Sequence, residues 1–253
     1  MSLRLLQLSD CHLSAEPHKA YRGQSADRNL ARFAEAVRAF SPDQLMLTGD
    51  LSEDGSSESY RRLIDWVQQF ELPVAWLPGN HDDRSVMQPI MDHAGFEPGP
   101  ILELHGWQLV LLDSAWPGRP DGELDAARLK PLARLDPDQP IAVFVHHHPV
   151  PVSVWIDRVP LRQPERLWQA LAGHRGLKFV AFGHVHQRFR RRMEPAQDQS
   201  IECLAAPSTA VNSLPDVERF TPGPCGPMAR WFLLETNGCY RSGLLSLPRA
   251  SSR

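Results

Sequence analysis

Cysteine is scarce in this chain. Four occur in 253 residues, at positions 11, 203, 225 and 239, and no two form a Cys-x-x-Cys pair. That spacing excludes a zinc knuckle and a thioredoxin-type redox motif. So few scattered thiols point to a reduced, cytoplasmic setting. Long apolar runs are missing too: none approaches the ~20 residues needed to span a membrane. The first strand-like stretch begins at Leu3 and reaches Asp10, so no signal peptide is expected. There is no internal repeat, and low complexity is confined to residues 250–253, which are expected to fray. Excess charge is also absent. A formal net charge of −3 argues against a general nucleic-acid binder, although a local basic patch remains compatible with it. What is present suits a soluble protein with a sizeable core, since 42 % of residues are hydrophobic.

Strands and helices alternate early, and strands dominate later. Apolar runs at 3–8, 44–48, 72–77, 141–145 and 177–182 read as buried strands. A helix is predicted over 26–40, with Leu30, Phe33, Val37 and Phe40 on one face. Another follows Ser56 or Ser57 as N-cap and carries Tyr60, Leu63, Ile64, Val67 and Phe70. Shorter helices are predicted over 84–93, 124–135 and 165–172, and a strand pair over 101–104 and 107–113. Residues 17–25 and 150–164 read as loops, the second rich in proline and lying over the strand ends. Beyond residue 200, the alternating stretches at 200–204 and 230–235 read as completion of a second sheet. With no linker in sight, the expected architecture is one α/β domain over residues 1–253: two packed sheets flanked by helices.

Five of the apolar strands end in the same kinds of side chain. Asp10 and His12 follow the first, Asp50 the second, and Asn80 and His81 the third; His146 follows the fourth, and His184 and His186 the fifth. Strand ends are where an open α/β sheet binds its ligands. Every one of these groups is an oxygen or nitrogen donor, which suits Mn, Fe(II), Zn or Co. The seven best ligands are Asp10, His12, Asp50, Asn80, His146, His184 and His186. They exceed the about four of a tetrahedral zinc site. They suit two ions that share a carboxylate at a separation of roughly 3.5–4 Å. On extended strand ends, residues i and i+2 point to one side, so Asp10 with His12, and His184 with His186, are expected to act as pairs.

The series Asp10-x-His12, Gly49-Asp50, Gly79-Asn80-His81-Asp82, His146 and Gly183-His184-x-His186 resembles the calcineurin-like metallophosphoesterase superfamily. It spans residues 10–186. Further stretches, 111–114, 146–151 leading into Trp155 and Asp157, and 206–209, are similar to the bacterial class III cyclic-nucleotide phosphodiesterases. The resemblance implies a sandwich of two mixed sheets flanked by helices and a dinuclear centre. Asp10, His12, Asp50 and His186 would hold one ion, and Asp50, Asn80, His146 and His184 the other. Asp50 would bridge them, with a hydroxide held between the ions as nucleophile. His12, Asp50, Asn80, His81 and His186 would face the substrate, with His81 assisting the leaving group. The implied reaction is hydrolysis of 3′,5′-cyclic AMP to 5′-AMP. Broader action on glycerophosphodiesters or other nucleotides is the alternative, and a metal-free scaffold is the reading from another class.

Three histidines stand together at 146–148. His146 is expected to be the ligand, with His147 turned to the other side and His148 as fallback. Cys11 reads as a small buried filler. Asp82 or Asp113 is expected to orient a histidine. Arg188, Arg190, Arg191 and Arg192 read as a solvated strand. Trp155 is open between base stacking and loop packing, and His18, His93, His105 and His174 read as surface residues.

Overall fold

The computed structural model describes residues 2–96, 99–196 and 199–248. The tail expected to fray, 250–253, lies outside them. The strands are β1 (Leu3–Leu8), β2 (Ala20–Tyr21), β3 (Gln24–Ser25), β4 (Gln44–Thr48), β5 (Val74–Leu77), β6 (Ile101–Leu104), β7 (Trp107–Leu112), β8 (Ile141–Val145), β9 (Leu177–Phe182), β10 (Phe189–Ala196), β11 (Gln199–Ala205), β12 (Cys225–Leu234) and β13 (Tyr240–Pro248). The helices are α1 (Ala26–Phe40), α2 (Ser57–Gln68), α3 (Arg84–His93), α4 (Ala126–Leu129) and α5 (Glu165–Leu171).

Two mixed sheets carry the fold. The first has the order β13-β12-β1-β4-β5 and the second β10-β11-β9-β8-β7-β6. Their facing sides share one apolar layer, in which Leu5, Met46 and Phe232 of the first sheet meet Phe144, Phe179 and Leu204 of the second. The outer face of the first sheet is covered by α1, α2 and α3 through Phe33, Leu63 and Met87. The outer face of the second is covered by Leu132, Ile156 and Leu167. This is the expected sandwich with helices outside. Strands buried on both faces must be apolar along their whole length, which is why the uninterrupted runs were legible.

Local caps explain the helix limits. Ser25 accepts from the Arg28 amide and starts α1, while Ser41 ends it in a left-handed turn at φ 51°. Ser56 is the N-cap of α2, and Asp83 caps α3 by accepting from the amides of Ser85 and Val86.

Two expectations are corrected. The helix predicted over 124–135 is α4 followed by a 3₁₀ segment, Lys130–Arg134, because Pro131 has no amide to continue the α-helical ladder. The C-terminal strands do not all complete the second sheet. β10 and β11 do, but β12 returns to the first sheet and pairs antiparallel with β1. The loop at 17–25 also contains the small hairpin β2–β3.

The topology positions the site. β1, β4 and β5 are parallel neighbours in one sheet, and β7, β8 and β9 are parallel neighbours in the other. The C-terminal ends of β1, β4, β5, β8 and β9 therefore deliver their loops to a common region.

A candidate dinuclear metal centre

Six of the seven candidate ligands converge, and the seventh, Asn80, precedes His81, whose amide donates to Asp50. His186 Nε2 lies 3.2 Å from Asp10 Oδ1 and 3.1 Å from His12 Nε2. His12 Nε2 lies 3.8 Å from Asp50 Oδ2, and His146 Nε2 lies 3.3 Å from the same oxygen. The His184 ring stands 5.1 Å from that of His146. Asp50 is thus common to both halves, with Asp10, His12 and His186 on one side and His146 and His184 on the other.

The backbone does not bring them together in the expected way. Asp10 (φ 56°), His12 (47°), Asp50 (49°), His184 (67°) and His186 (49°) all adopt left-handed conformations. Contrary to expectation, the strand ends are therefore not extended at these residues, although Asp10 and His12 do come together, with His186. The chain kinks sharply at these five residues, and their side chains converge because of those kinks. Such conformations are costly for residues with a Cβ and persist where surrounding contacts over-determine them. Here the amides of Asp10 and His12 donate to the carbonyls of Gly49 and Asp50, and the His184 amide donates to the Asp10 carboxylate at 3.0 Å.

The imidazoles are oriented from behind. His12 Nδ1 is 2.8 Å from Glu53 Oε2, His146 Nδ1 is 2.8 Å from the Thr48 carbonyl, and His186 Nδ1 is 2.7 Å from the Val211 carbonyl. In each case the acceptor fixes a proton on Nδ1 and leaves Nε2 for the centre. His184 is held the other way, with Nε2 3.0 Å from the Val159 carbonyl, so it offers Nδ1.

The electrostatics suit cations. Among the described residues neither Asp10 nor Asp50 pairs with a lysine or arginine, although both are buried. Burial pushes the Asp50 carboxyl up, but His146 and His12 overturn that and hold it well below the ordinary carboxylate range. Asp10 is lowered in the same way, against burial, chiefly by His186. Burial opposes a proton on His146, yet the charges of Asp50 and Asp10 raise it to about 9. Carboxylates that attract a proton so strongly would attract a divalent ion at the same place. Asn80 Oδ1 is buried with no hydrogen-bond partner, as an unused ligand oxygen would be. The donor set therefore fits two divalent metal ions.

His81 sits at the edge, its side chain 36 % exposed. Its amide donates to Asp50 Oδ1 at 2.9 Å, and its Nδ1 is 3.3 Å from Glu53 Oε2. Burial works against the imidazolium, but Asp50 and Glu53 outweigh it and raise its pKa.

Several other expectations meet the geometry here. His147 does not turn away from the centre. Its ring is 4.7 Å from His184, with Nδ1 2.8 Å from Ser114 Oγ, and burial holds it neutral. His148 pairs with Asp157 at 3.2 Å. Neither Asp82 nor Asp113 orients a histidine. Asp82 accepts from the amides of Leu51, Ser52 and Gly79 and from the Tyr60 hydroxyl, and so ties the Asp50 loop to the Asn80 loop. Asp113 pairs with Arg84. The orienting carboxylate is Glu53, which sequence reasoning missed. Tyr21, stacked on His12 at 4.0 Å, was missed as well. Cys11 is the buried filler expected, its thiol pushed up to about 12 by burial. Trp155 packs edge-on against Phe220. Arg190 lies on β10 and pairs with Glu202, as a solvated strand would. His18, His93 and His105 are exposed, while His174 is half-buried, its ring nitrogens close to the carbonyls of Leu171 and Leu132.

The fold and the donor set define a metal-dependent phosphoesterase of the calcineurin-like kind, and the family model described as calcineurin-like phosphoesterase matches residues 3–188. The chain belongs to that family, within the group of the bacterial class III cyclic-AMP phosphodiesterases. It is 36 % identical to the 3′,5′-cyclic adenosine monophosphate phosphodiesterase CpdA of Pseudomonas aeruginosa, over 96 % of this chain and 89 % of that protein. Identity to the protein of the same name from Escherichia coli K12 is 33 %, over 93 % and 86 %. A dimetal phosphatase from Danio rerio shares the fold, with a TM-score of 0.66 at 13 % identity, over 98 % of this chain and 99 % of that one.

Proposed function

We propose that this chain hydrolyses 3′,5′-cyclic AMP to 5′-AMP at a dinuclear metal centre. The observation that carries the reading is the meeting of His12, His146, His184 and His186 with Asp10 and Asp50, two buried carboxylates that have no lysine or arginine partner among the described residues. Relatives that match over most of their length are named for that reaction. Asp10, His12, Asp50 and His186 would hold one ion, and Asp50, Asn80, His146 and His184 the other. The ions are of the Fe, Mn, Zn or Co kind. When bound, they supply neutralisation of the phosphoryl charge and a lowered pKa for the attacking water.

The protein's own residues do the rest. Glu53 and the carbonyls of Thr48, Val211 and Val159 hold the four ligand imidazoles in one tautomer and one orientation. Burial works against a proton on His81, but Asp50 and Glu53 raise its pKa, and the ring is placed to give a proton to the departing oxygen. Water gives one proton to solvent and attacks phosphorus through its oxygen, the bond to O3′ breaks, the His81 proton passes to O3′, and His81 regains a proton from solvent. Asp82 fixes the spacing of the loops that carry Asp50 and Asn80. Residues 1–253 act as one domain in this reading, supported by the return of β12 to β1. A reduced, cytoplasmic setting is supported by the four free cysteines. The partner is a small cyclic nucleotide rather than nucleic acid or membrane; among the described residues no helix is long and apolar enough to cross one.

The test is a substrate panel on metal-analysed protein. Cyclic AMP, cyclic GMP, 2′,3′-cyclic AMP, glycerophosphodiesters and bis-p-nitrophenyl phosphate are compared with added Mn²⁺ and with chelator. Hydrolysis of 3′,5′-cyclic AMP well above the rest, abolished by chelator, is expected. Turnover of the synthetic diester with little on cyclic AMP would reject the substrate and keep the chemistry. Inactivity with every metal would reject both.

A further inference from the structure

The centre is open on its His81 flank. Asp10, His12, Asp50, His146, His184 and His186 are buried. Tyr21 lies flat on His12, and Phe220 stands edge-on to His186 at 5.5 Å. Asn80 and His81, by contrast, line a cleft of about 910 Å³ between α3 and the loop that follows β7. A substrate with its phosphate at the centre must place the rest of itself there. The volume lies within the roughly 300–1,000 Å³ of small-molecule sites.

The walls indicate what that remainder is. Trp116 lines the cleft as a half-buried indole, backed on one face by the Arg119 guanidinium at 4.5 Å. Aromatic faces take bases by stacking, whatever the base. Charge is the second feature. Asp54, Asp83 and Asp92 are exposed in the cleft wall. Of its two guanidiniums, Arg84 is paired with Asp113 at 2.6 Å, while Arg128 donates to the neutral Glu123 carbonyl at 2.9 Å and keeps its charge. A ligand group lying beyond the centre thus meets an aromatic surface and more carboxylates than guanidiniums.

We propose that this cleft is the nucleoside subsite, with the base against Trp116, and that its carboxylates restrict the enzyme to phosphodiesters carrying no second phosphate. The inference rests on the reading of the centre given above. It explains how one dinuclear centre would act on a cyclic mononucleotide and reject dinucleotides and nucleic acid, whose further phosphates would lie along the acidic wall. Three carboxylates acting through screened solvent give discrimination on the order of tenfold against a second phosphate.

Binding to the Mn²⁺-loaded protein tests this by titration calorimetry with inorganic phosphate, 5′-AMP and adenosine 3′,5′-bisphosphate. Whichever phosphate of the bisphosphate sits at the centre, the other lies in the cleft. The 5′-AMP is expected to bind at least about tenfold tighter than phosphate, and on the order of tenfold tighter than the bisphosphate. Trp116→Ala should remove the first advantage and Trp116→Phe should restore most of it. Asp92→Lys should remove the second. Wild-type protein that binds 5′-AMP no better than phosphate would overturn the subsite, as would folded variants that leave both ratios unchanged. Hydrolysis is not part of the readout. Protein that binds in this way yet leaves cyclic AMP intact would reject the proposed reaction and keep the subsite, and the reverse result would do the opposite.

Discussion

Gly79 lies where the two ligand loops touch, and replacing it with alanine tests the packing of the centre. A Cβ there would lie 2.2 Å from Asp50 Oδ1, 2.4 Å from the Asp50 amide nitrogen and 2.8 Å from His146 Cε1. Ordinary contact begins at 3.4 Å, so the shared carboxylate must retreat by about 1.2 Å (3.4 − 2.2). Relief by rotation of Asp50 alone is blocked, because its amide is almost as close. Overpacking of this kind costs about 1–3 kcal/mol, or roughly 2–12 °C in Tm for a chain of this size. Displacement by an ångström at a reacting centre costs on the order of 100-fold in rate. Gly79→Ala should therefore lose metal content and lower kcat for diester hydrolysis about 100-fold, with a modest fall in Tm. Gly99→Ala is the control, since a Cβ there meets only the Ile101 carbonyl, at 3.8 Å. The assays are metal analysis after dialysis, initial rates and thermal melting. A Gly79→Ala protein that holds two metals and turns over at the wild-type rate would refute the placement of Asp50.

Three further outcomes are expected. Glu53→Gln weakens the support of His12 and should lower metal affinity by about 10–100-fold, read by competition with a chelating dye. His81→Ala should keep its metals and lose about 10²–10⁴-fold on cyclic AMP, but much less on bis-p-nitrophenyl phosphate, whose leaving group needs no proton; equal losses on both would exclude the leaving-group role. Away from the site, Arg119 and Arg162 hold the Asp121 carboxyl well below its ordinary range. A depressed carboxylate contributes stability above its unfolded pKa of about 3.9, and that stability is lost as pH falls towards the folded value. Asp121→Asn should lower the urea midpoint at neutral pH and shrink its fall on acidification; an unchanged pH dependence would exclude this pair of contacts.

The candidate ligands were legible in the sequence because each follows a strand that is buried along nearly its whole length. A carboxylate or imidazole at such a place has few structural uses, and five repeats of the pattern have fewer. The conformation that delivers them was not legible. Asp10, His12, His184 and His186 sit in left-handed kinks that no local propensity of Asp or His announces strongly. Glu53 and Tyr21 were missed, and Asp82 was given the wrong role, for another reason. Their roles come from contacts between loops, such as the Tyr60 hydroxyl reaching Asp82 across the α2–α3 connection, and nothing in the neighbouring sequence marks them. The placement of β12 beside β1 is a pairing across more than two hundred residues, and alternating apolarity does not say which sheet a strand joins. The helix expected over 124–135 shows the opposite error: periodicity was right about the buried Leu132 and silent about the effect of Pro131.

The most direct measurement is a metal titration of chelator-stripped protein, with hydrolysis of 3′,5′-cyclic AMP followed at each step. The rate should rise from nothing and saturate at two equivalents of divalent ion per chain, with 5′-AMP as the product. Saturation at one equivalent, or a rate that persists without metal, would contradict a dinuclear centre built on Asp50, and 3′-AMP as the product would contradict O3′ as the leaving group.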